Sequence, residues 1–362
     1  MIDFEPTEEQ QLIIETVRQF AANELRPRAR ACDEAASLPR DVLEKAHELG
    51  LVANALPTEF GGGGERSAVT GALVAEELAW GDLSLALAIL SPALAAYPLA
   101  DQGSAAQRKE RLALYAGSSF RPGALALTEP QFGADAFRPA TTARRHRDGY
   151  ALDGAKCQVP WLDGDDVVLV TATEGERAQV FLVPRAASGL KVERERHLGI
   201  QALPTAGLRL EGVRVPAGAR LGGETGADVR PLVARGRVAL AALGVGVARA
   251  AFEVARDYAK ERQTFGAPIA TRQSIAFKLA DMAIEIDGAR LLAWEAGWRL
   301  DRGEDALREA TLAYDQVRRV ALEVADGAVQ VFGGHGYTRE YLPELHLRNA
   351  RGFASFEALA LV

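Results

Sequence analysis

Apolar residues in the first third of the chain recur every three or four positions, the period of helices with one buried face. In PTEEQQLIIETVRQFAANEL, Thr7 stands at a helix start with Gln10 three residues on, the spacing of a capping box. Leu12, Ile13, Val17 and Phe20 then share a face. After the glycine loop Gly61–Gly64, SAVTGALVAEELAW continues in the same style. From residue 119 the period changes to two. TTARRHRDGYALDG reads as two short strands about a DG turn, DVVLVTATEGERAQVFLVPR repeats that pattern, and GLRLEGVRVP alternates strictly. Long helical periods return after residue 224, in ALAALGVGVARAAFEVARDYAKERQ, QSIAFKLADMAIEIDGARLLAWEAGWRL and EATLAYDQVRRVALEVADGAVQVF. Ile275, Leu279, Met282, Ile286 and Ala289 illustrate the spacing. Successive helices of this length predict an antiparallel bundle. The pattern predicts an α+β chain, mostly α, with a helical domain over 1–118, a β domain over 119–223 and a helical bundle over 224–362.

Composition narrows this picture. At 362 residues, with 48% hydrophobic and 25% charged, the chain is of ordinary globular type and long enough for several domains. Its net charge of −7 and pI near 5.5 exclude the basic face that nucleic acid requires. Two cysteines, Cys32 and Cys157, lie far apart with no metal-ligand spacing, which predicts a reducing, cytoplasmic setting. The start, MIDFEPTEEQ, lacks the basic-then-apolar order of a leader. The longest apolar run, Leu83–Ala100, is interrupted by Pro92 and Pro98, so buried helices are expected rather than a membrane span.

Common catalytic signatures are absent. GVGVAR (Gly244–Arg249) and GGHGYTR (Gly333–Arg339) imitate a dinucleotide fingerprint but lack its last glycine and follow no strand. There is no GxSxG elbow and no P-loop, and the five histidines show no ligand spacing, so no metal is expected. Two stretches stand out: Glu261–Ala283 and Val329–Arg351. Each begins at the end of a long helix and runs into a glycine-rich loop, where free N–H groups can meet anionic oxygens. Two solvated helix ends read equally well. Near the end of the chain, Glu357 lies between Phe356 and Ala358 in RNARGFASFEALALV. It reads either as a base at an apolar site or as the solvated charge of a frayed tail.

Those two stretches, together with LALTEPQFGADA (Leu125–Ala136), resemble the acyl-CoA dehydrogenase family. ELGLVANALPTEFGG, EELAWGDLSLALAI, FLVPRAASGLKV and VRVPAGARLG are similar to family segments and stand in family order, so the resemblance covers essentially the whole chain. It implies an N-terminal helical domain, a β-barrel-like middle domain and a C-terminal four-helix bundle. It also implies FAD and the α,β-dehydrogenation of an acyl-CoA thioester, with a carboxylate taking the α-proton and the β-hydrogen leaving as hydride to flavin N5. Arg348 through Phe356-Glu357 is similar to the family stretch that ends in its base, so Glu357 is the implied base. A second lineage carries that base earlier, at a position matching Gly236, which has no side chain. Arg237 matches an arginine near the thioester end of the acyl-CoA.

By the same resemblance Arg262, Thr264 and Phe265 reach FAD across a subunit interface. Gln273, Gln330 and Gly334 surround its pyrophosphate and adenosine, and Leu127 and Thr128 line the flavin ring. Leu85–Ala100 is expected to line the acyl pocket. The implied assembly is a homodimer or homotetramer that passes electrons to an electron-transfer flavoprotein. Departures cluster on the ring side. Ala134 replaces a serine, Gln158 an aromatic, Pro160 a threonine, and Ala358-Leu359 a glycine-threonine pair, while nothing matches the family's last helix. Proline supplies neither N–H nor hydroxyl, so the substitutions predict weakened FAD binding. They also fit an alternative reading: a non-catalytic subunit of a heteromeric dehydrogenase, lending its adenosine-side residues to a partner.

Overall fold

The computed structural model describes residues 4–353 and 356–362. Helix α1 (Glu8–Phe20) begins at the expected capping box: the Gln10 N–H donates to Thr7 Oγ1 at 3.2 Å and the Thr7 N–H to Gln10 Oε1 at 3.0 Å. Val17 is buried, but Leu12 leaves the expected face and is 65% exposed. Then come α2 (Ala29–Ala35), α3 (Arg40–Glu48), α4 (Ala68–Gly81), α5 (Leu83–Leu90), α6 (Ala93–Gln102) and α7 (Ala105–Tyr115). The glycine loop before α4 folds back on itself, and a Cβ on Gly62 would lie 2.0 Å from the Leu56 carbonyl oxygen. Helices α5 and α6 are apolar all round, and their residues from Leu83 to Leu99 are buried. By length and composition Leu83–Gln102 is apolar enough to cross a membrane, yet 94% of its apolar window is buried inside the protein.

The middle of the chain forms β1 (Leu125–Ala126), β2 (Thr142–His146), β3 (Gly149–Pro160), β4 (Val167–Glu174), β5 (Arg177–Pro184), β6 (Leu190–Arg194) and β7 (Thr205–Pro216). Their order is β1-β4-β2-β3-β7-β6, with β5 on β4. The pairs are antiparallel except for β1–β4 and β2–β4. The strand period decides which core each residue joins. Val168, Val170, Ala172, Phe181 and Val183 enter a core confined to the sheet domain. Leu169, Val180 and Leu182, between them, join the core of the helices.

The last part comprises α8 (Val229–Glu261), a short hairpin of β8 (Gln263–Thr264) and β9 (Ala267–Pro268), then α9 (Gln273–Asp301), α10 (Leu307–Phe332) and α11 (Pro343–Phe353). These four helices share one continuous apolar core with the N-terminal helices. GVGVAR is a packing motif. A Cβ on Gly246 would lie 2.3 Å from the Glu76 carbonyl oxygen of α4, and one on Gly244 2.4 Å from Val317 Cγ1 of α10. Arginines tie the same helices together. Arg249 of α8 binds Glu76 at 2.8 Å and Glu77 at 2.6 Å, while Arg290 of α9 and Arg18 of α1 bind Glu76 and Glu77 at 3.0 and 2.8 Å.

Candidate functional site

Glu357 is held from both sides of the chain. Just before it, the buried Tyr314 hydroxyl of α10 reaches the carbonyl oxygens of Phe353, at 3.1 Å, and of Phe356. Burial, reinforced by the Glu357 charge, pushes the Tyr314 pKa up, so the phenol stays a neutral donor. The His197 ring packs edge-on against Phe356 with centroids 5.5 Å apart. The Glu357 carboxylate faces Arg237 of α8: Oε1 accepts from Nη2 at 2.7 Å and Nε at 3.1 Å, and Oε2 from Nε at 3.4 Å. The remaining Arg237 nitrogen donates to Thr311 Oγ1 at 2.7 Å. Both side chains are partly buried, 25% exposed for Glu357 and 16% for Arg237, so this carboxylate is not a tail's solvated charge. Beyond it, Ala358 turns into the left-handed region at φ 52° and Ala358–Val362 is buried throughout.

The LTEP strand end is fixed by a buried ion pair. Lys156 Nζ of β3 donates to Glu129 Oε1 at 2.8 Å, to Thr171 Oγ1 at 3.0 Å and to the Leu127 carbonyl at 3.3 Å. Burial lowers the Lys156 pKa despite its partner, and for Glu129 the ammonium overcomes burial and lowers it too. Thr128 follows, its carbonyl accepting the Cys157 N–H at 3.0 Å. One residue further, β3 bulges: Gln158 takes a left-handed φ of 58° and its N–H is held by both oxygens of Glu195. Thr128 Oγ1 and Gln158 Oε1 are buried with no hydrogen-bond partner. Such groups are costly unless a ligand satisfies them. Beside them the Gln131–Asp135 loop is exposed, with Gly133 at φ 72° and open space where its Cβ would be. This arrangement fits the ring half of FAD: the two unpaired oxygens of Thr128 and Gln158 and the exposed loop around Gly133 leave polar groups open to a ligand near Ala134 and Pro160.

The other expected cofactor residues lie elsewhere. Arg262, Phe265, Gln273, Gln330 and Gly334 are exposed and Thr264 half-exposed, at the ends of α8 and α10 and the start of α9. Phe265 is 98% exposed, with a left-handed φ of 51°. Tyr258 joins the two helix ends, its hydroxyl 2.8 Å from His335 Nδ1 and its ring stacked on Phe332 at 3.9 Å. Arg237 and Arg262 stand on and just past one straight helix. Their separation of 25 residues corresponds to roughly 37 Å at the α-helical rise, more than an extended FAD spans. One chain therefore does not bring the Arg262 group to the Glu357 site.

Several site residues escaped the sequence reading. Thr311 and Tyr314 had no signal beyond helical spacing, and Glu195 none at all. Lys156 was legible, since strand alternation from Tyr150 through Leu152 puts a lysine on the inner face. Arg235, which donates from Nη1 to the Val362 carbonyl oxygen at 2.8 Å, was hidden beside Arg237.

Three family models match the chain in succession: the N-terminal domain of acyl-CoA dehydrogenase over residues 7–117, the middle domain over 124–213 and the C-terminal domain over 229–357. The probable acyl-CoA dehydrogenase YngJ of Bacillus subtilis is 36% identical, covering 97% of this chain and 94% of that protein. Butyryl-CoA dehydrogenase from Megasphaera elsdenii superposes with a TM-score of 0.89 at 30% identity, over 98% of this chain and 96% of its own. A glutaryl-CoA dehydrogenase from Mycobacterium smegmatis, solved in complex with FADH2, gives 0.88 at 28% identity, covering 97% and 91%.

Proposed function

The chain belongs to the acyl-CoA dehydrogenase family, whose FAD is its cofactor, and from that premise we propose that Glu357 is the base in the α,β-dehydrogenation of an acyl-CoA thioester. The observation that carries this reading is the Arg237–Glu357 pair: a carboxylate held and oriented by an arginine fork within an otherwise apolar segment. A carboxylate in that position can take the α-proton of a thioester bound beside it. Bound FAD supplies the acceptor for the β-hydrogen, taken as hydride. Arg237, freed from Glu357, stands beside the thioester end of the substrate. Leu127 and Thr128 line the ring of the chain's own cofactor.

Arg262, Thr264, Phe265, Gln273, Gln330 and Gly334 reach the FAD of a neighbouring copy. The separation along α8 supports this assignment, and the reduced cofactor then passes its electrons to an electron-transfer flavoprotein. The matched spans fall inside the three proposed domains, 1–118, 119–223 and 224–362. A non-catalytic subunit that lends only adenosine contacts has no use for a partly buried, arginine-paired carboxylate beside an apolar segment, so that pair favours the catalytic reading.

Glu357→Gln tests it. Glutamine keeps the shape but cannot take the proton, so acyl-CoA-dependent dye reduction should fall by about a thousandfold with FAD still bound. Retention of more than about a tenth of the rate excludes Glu357 as the base.

A further inference from the structure

We propose that Ala358–Val362 is a strap lying in the groove the acyl group enters, latched by Arg235, and that an acyl-CoA binds by displacing it; this rests on the reading of Glu357 as the α-proton base. Arg235, Gly236 and Arg237 follow one another on α8, so their directions differ by about 100° per residue. Gly236 faces the strap: its Cβ would lie 3.6 Å from Ala358 Cα and Leu361 Cδ2 and 3.7 Å from the Ala360 carbonyl oxygen. On one side Arg237 holds Glu357, and on the other Arg235 holds the Val362 carbonyl oxygen at 2.8 Å. From α4, a Cβ on Gly71 would lie 3.0 Å from Val362 Cβ. The segment is thus drawn across α8 between two arginines, and each of its residues is at most 3% exposed.

A thioester whose α-carbon meets Glu357 must lie beside this carboxylate, with its acyl group in the adjoining apolar volume. The side chains of Leu359, Leu361 and Val362 are buried in the helical core next to Gly236 and Gly71. Displacement exchanges one apolar occupant for another, so an acyl chain long enough to restore the lost burial offsets it. The latch is what specifically has to open. Arg235 is mostly buried and its other partner, Asp101 at 3.7 Å, is shared with Arg66. The Arg66 guanidinium also lies 4.7 Å over the Tyr97 ring. With so little water and half a carboxylate, Arg235 draws on the Val362 oxygen as an acceptor. The strap therefore selects for acyl length: octanoyl-CoA opens it more completely than butyryl-CoA.

Amide hydrogen exchange on the FAD-loaded full chain reads the strap without turnover, while flavin absorption reports binding independently. In the absence of ligand the amides of residues 359–362 should be protected, and saturating octanoyl-CoA should raise their exchange about tenfold or more. Arg235→Met, which keeps the stem and removes the latch, should raise it without ligand and tighten octanoyl-CoA binding about tenfold. Octanoyl-CoA that perturbs the flavin spectrum while 359–362 stay protected overturns the proposal and makes the segment a fixed wall. Binding seen only in Arg235→Met supports it. Binding in neither protein overturns it together with the acyl-CoA reading, whereas turnover by Glu357→Gln removes the base assignment, and with it the placement of the acyl group beside the strap.

Discussion

Lys156 is the most demanding single charge in the sheet domain, because its side chain is fully buried and its one ionic partner, Glu129, is 2% exposed. Removing one member of such a pair leaves the other charged and unsolvated, at a cost of about 3–5 kcal/mol. Lys156→Met should lower stability by that amount in denaturant titration and, by loosening the strand end before Thr128, weaken FAD retention as well. Asp82 carries the opposite problem. It caps α5, accepting the Leu85 N–H at 2.9 Å, yet burial, with Asp33 adding to it, raises its pKa from 3.8 to about 6. A raised folded-state pKa means that its stabilising contribution is full below about pH 4 and lost as pH rises through 6. Asp82→Asn keeps the cap without the charge. At pH 7.5 its unfolding free energy should exceed the wild type's by up to about 3 kcal/mol, with the difference shrinking by pH 5. Glu357 was legible as an oddity, a carboxylate among apolar residues, and the resemblance implied the role of a base. Its fork to Arg237 joins residues 120 apart in sequence, which no local pattern encodes.

Close approach between elements explains where periodicity read well and where it slipped. The long helices follow from apolar spacing: α9 and α10 match the predicted stretches to within two residues at each end, while α8 starts ten residues before its stretch, which begins at Ala239. The DG turn did not form as predicted. The chain reverses at Arg147, in a left-handed φ of 48°, and Asp148, while Gly149 enters β3. Gly149 is required by packing, since its Cβ would lie 2.1 Å from the Val215 carbonyl oxygen of β7. A turn motif and a contact glycine look alike until the partner strand is known. Gly246 is the helical counterpart, meeting the backbone of α4 where side chains cannot give way. Gly246→Ala should therefore cost about 1–3 kcal/mol despite alanine's better helix propensity. Thermal unfolding checks this: a stabilised variant would mean that α4 and α8 can separate freely.

At the scale of the molecule, α9 shows a second apolar stripe facing away from the core. Phe277, Ile284 and Leu291, seven residues apart, are 61%, 68% and 41% exposed, and Leu312 of α10 is 51% exposed. A heptad seam of this kind is the surface another helix covers. Under the proposed role of Arg262 at a neighbour's cofactor, the expected occupant is a second copy of the chain. Sedimentation at micromolar concentration should show a dimer or tetramer, and Ile284→Asp should shift it toward monomer; a folded wild-type monomer would contradict both. Within each copy, the helices at the two ends of the sequence share a single core and the sheet domain is set between them. That arrangement governs the order in which the protein can be made. When the first 118 residues leave the ribosome, α8, against which α4 closes, has not been translated, and the apolar surface of α4 that α8 covers stands open. The sheet domain, whose own core is drawn from residues 124–219, emerges next with its partners already present. The helical body must wait for the last stretch of synthesis before its beginning can fold.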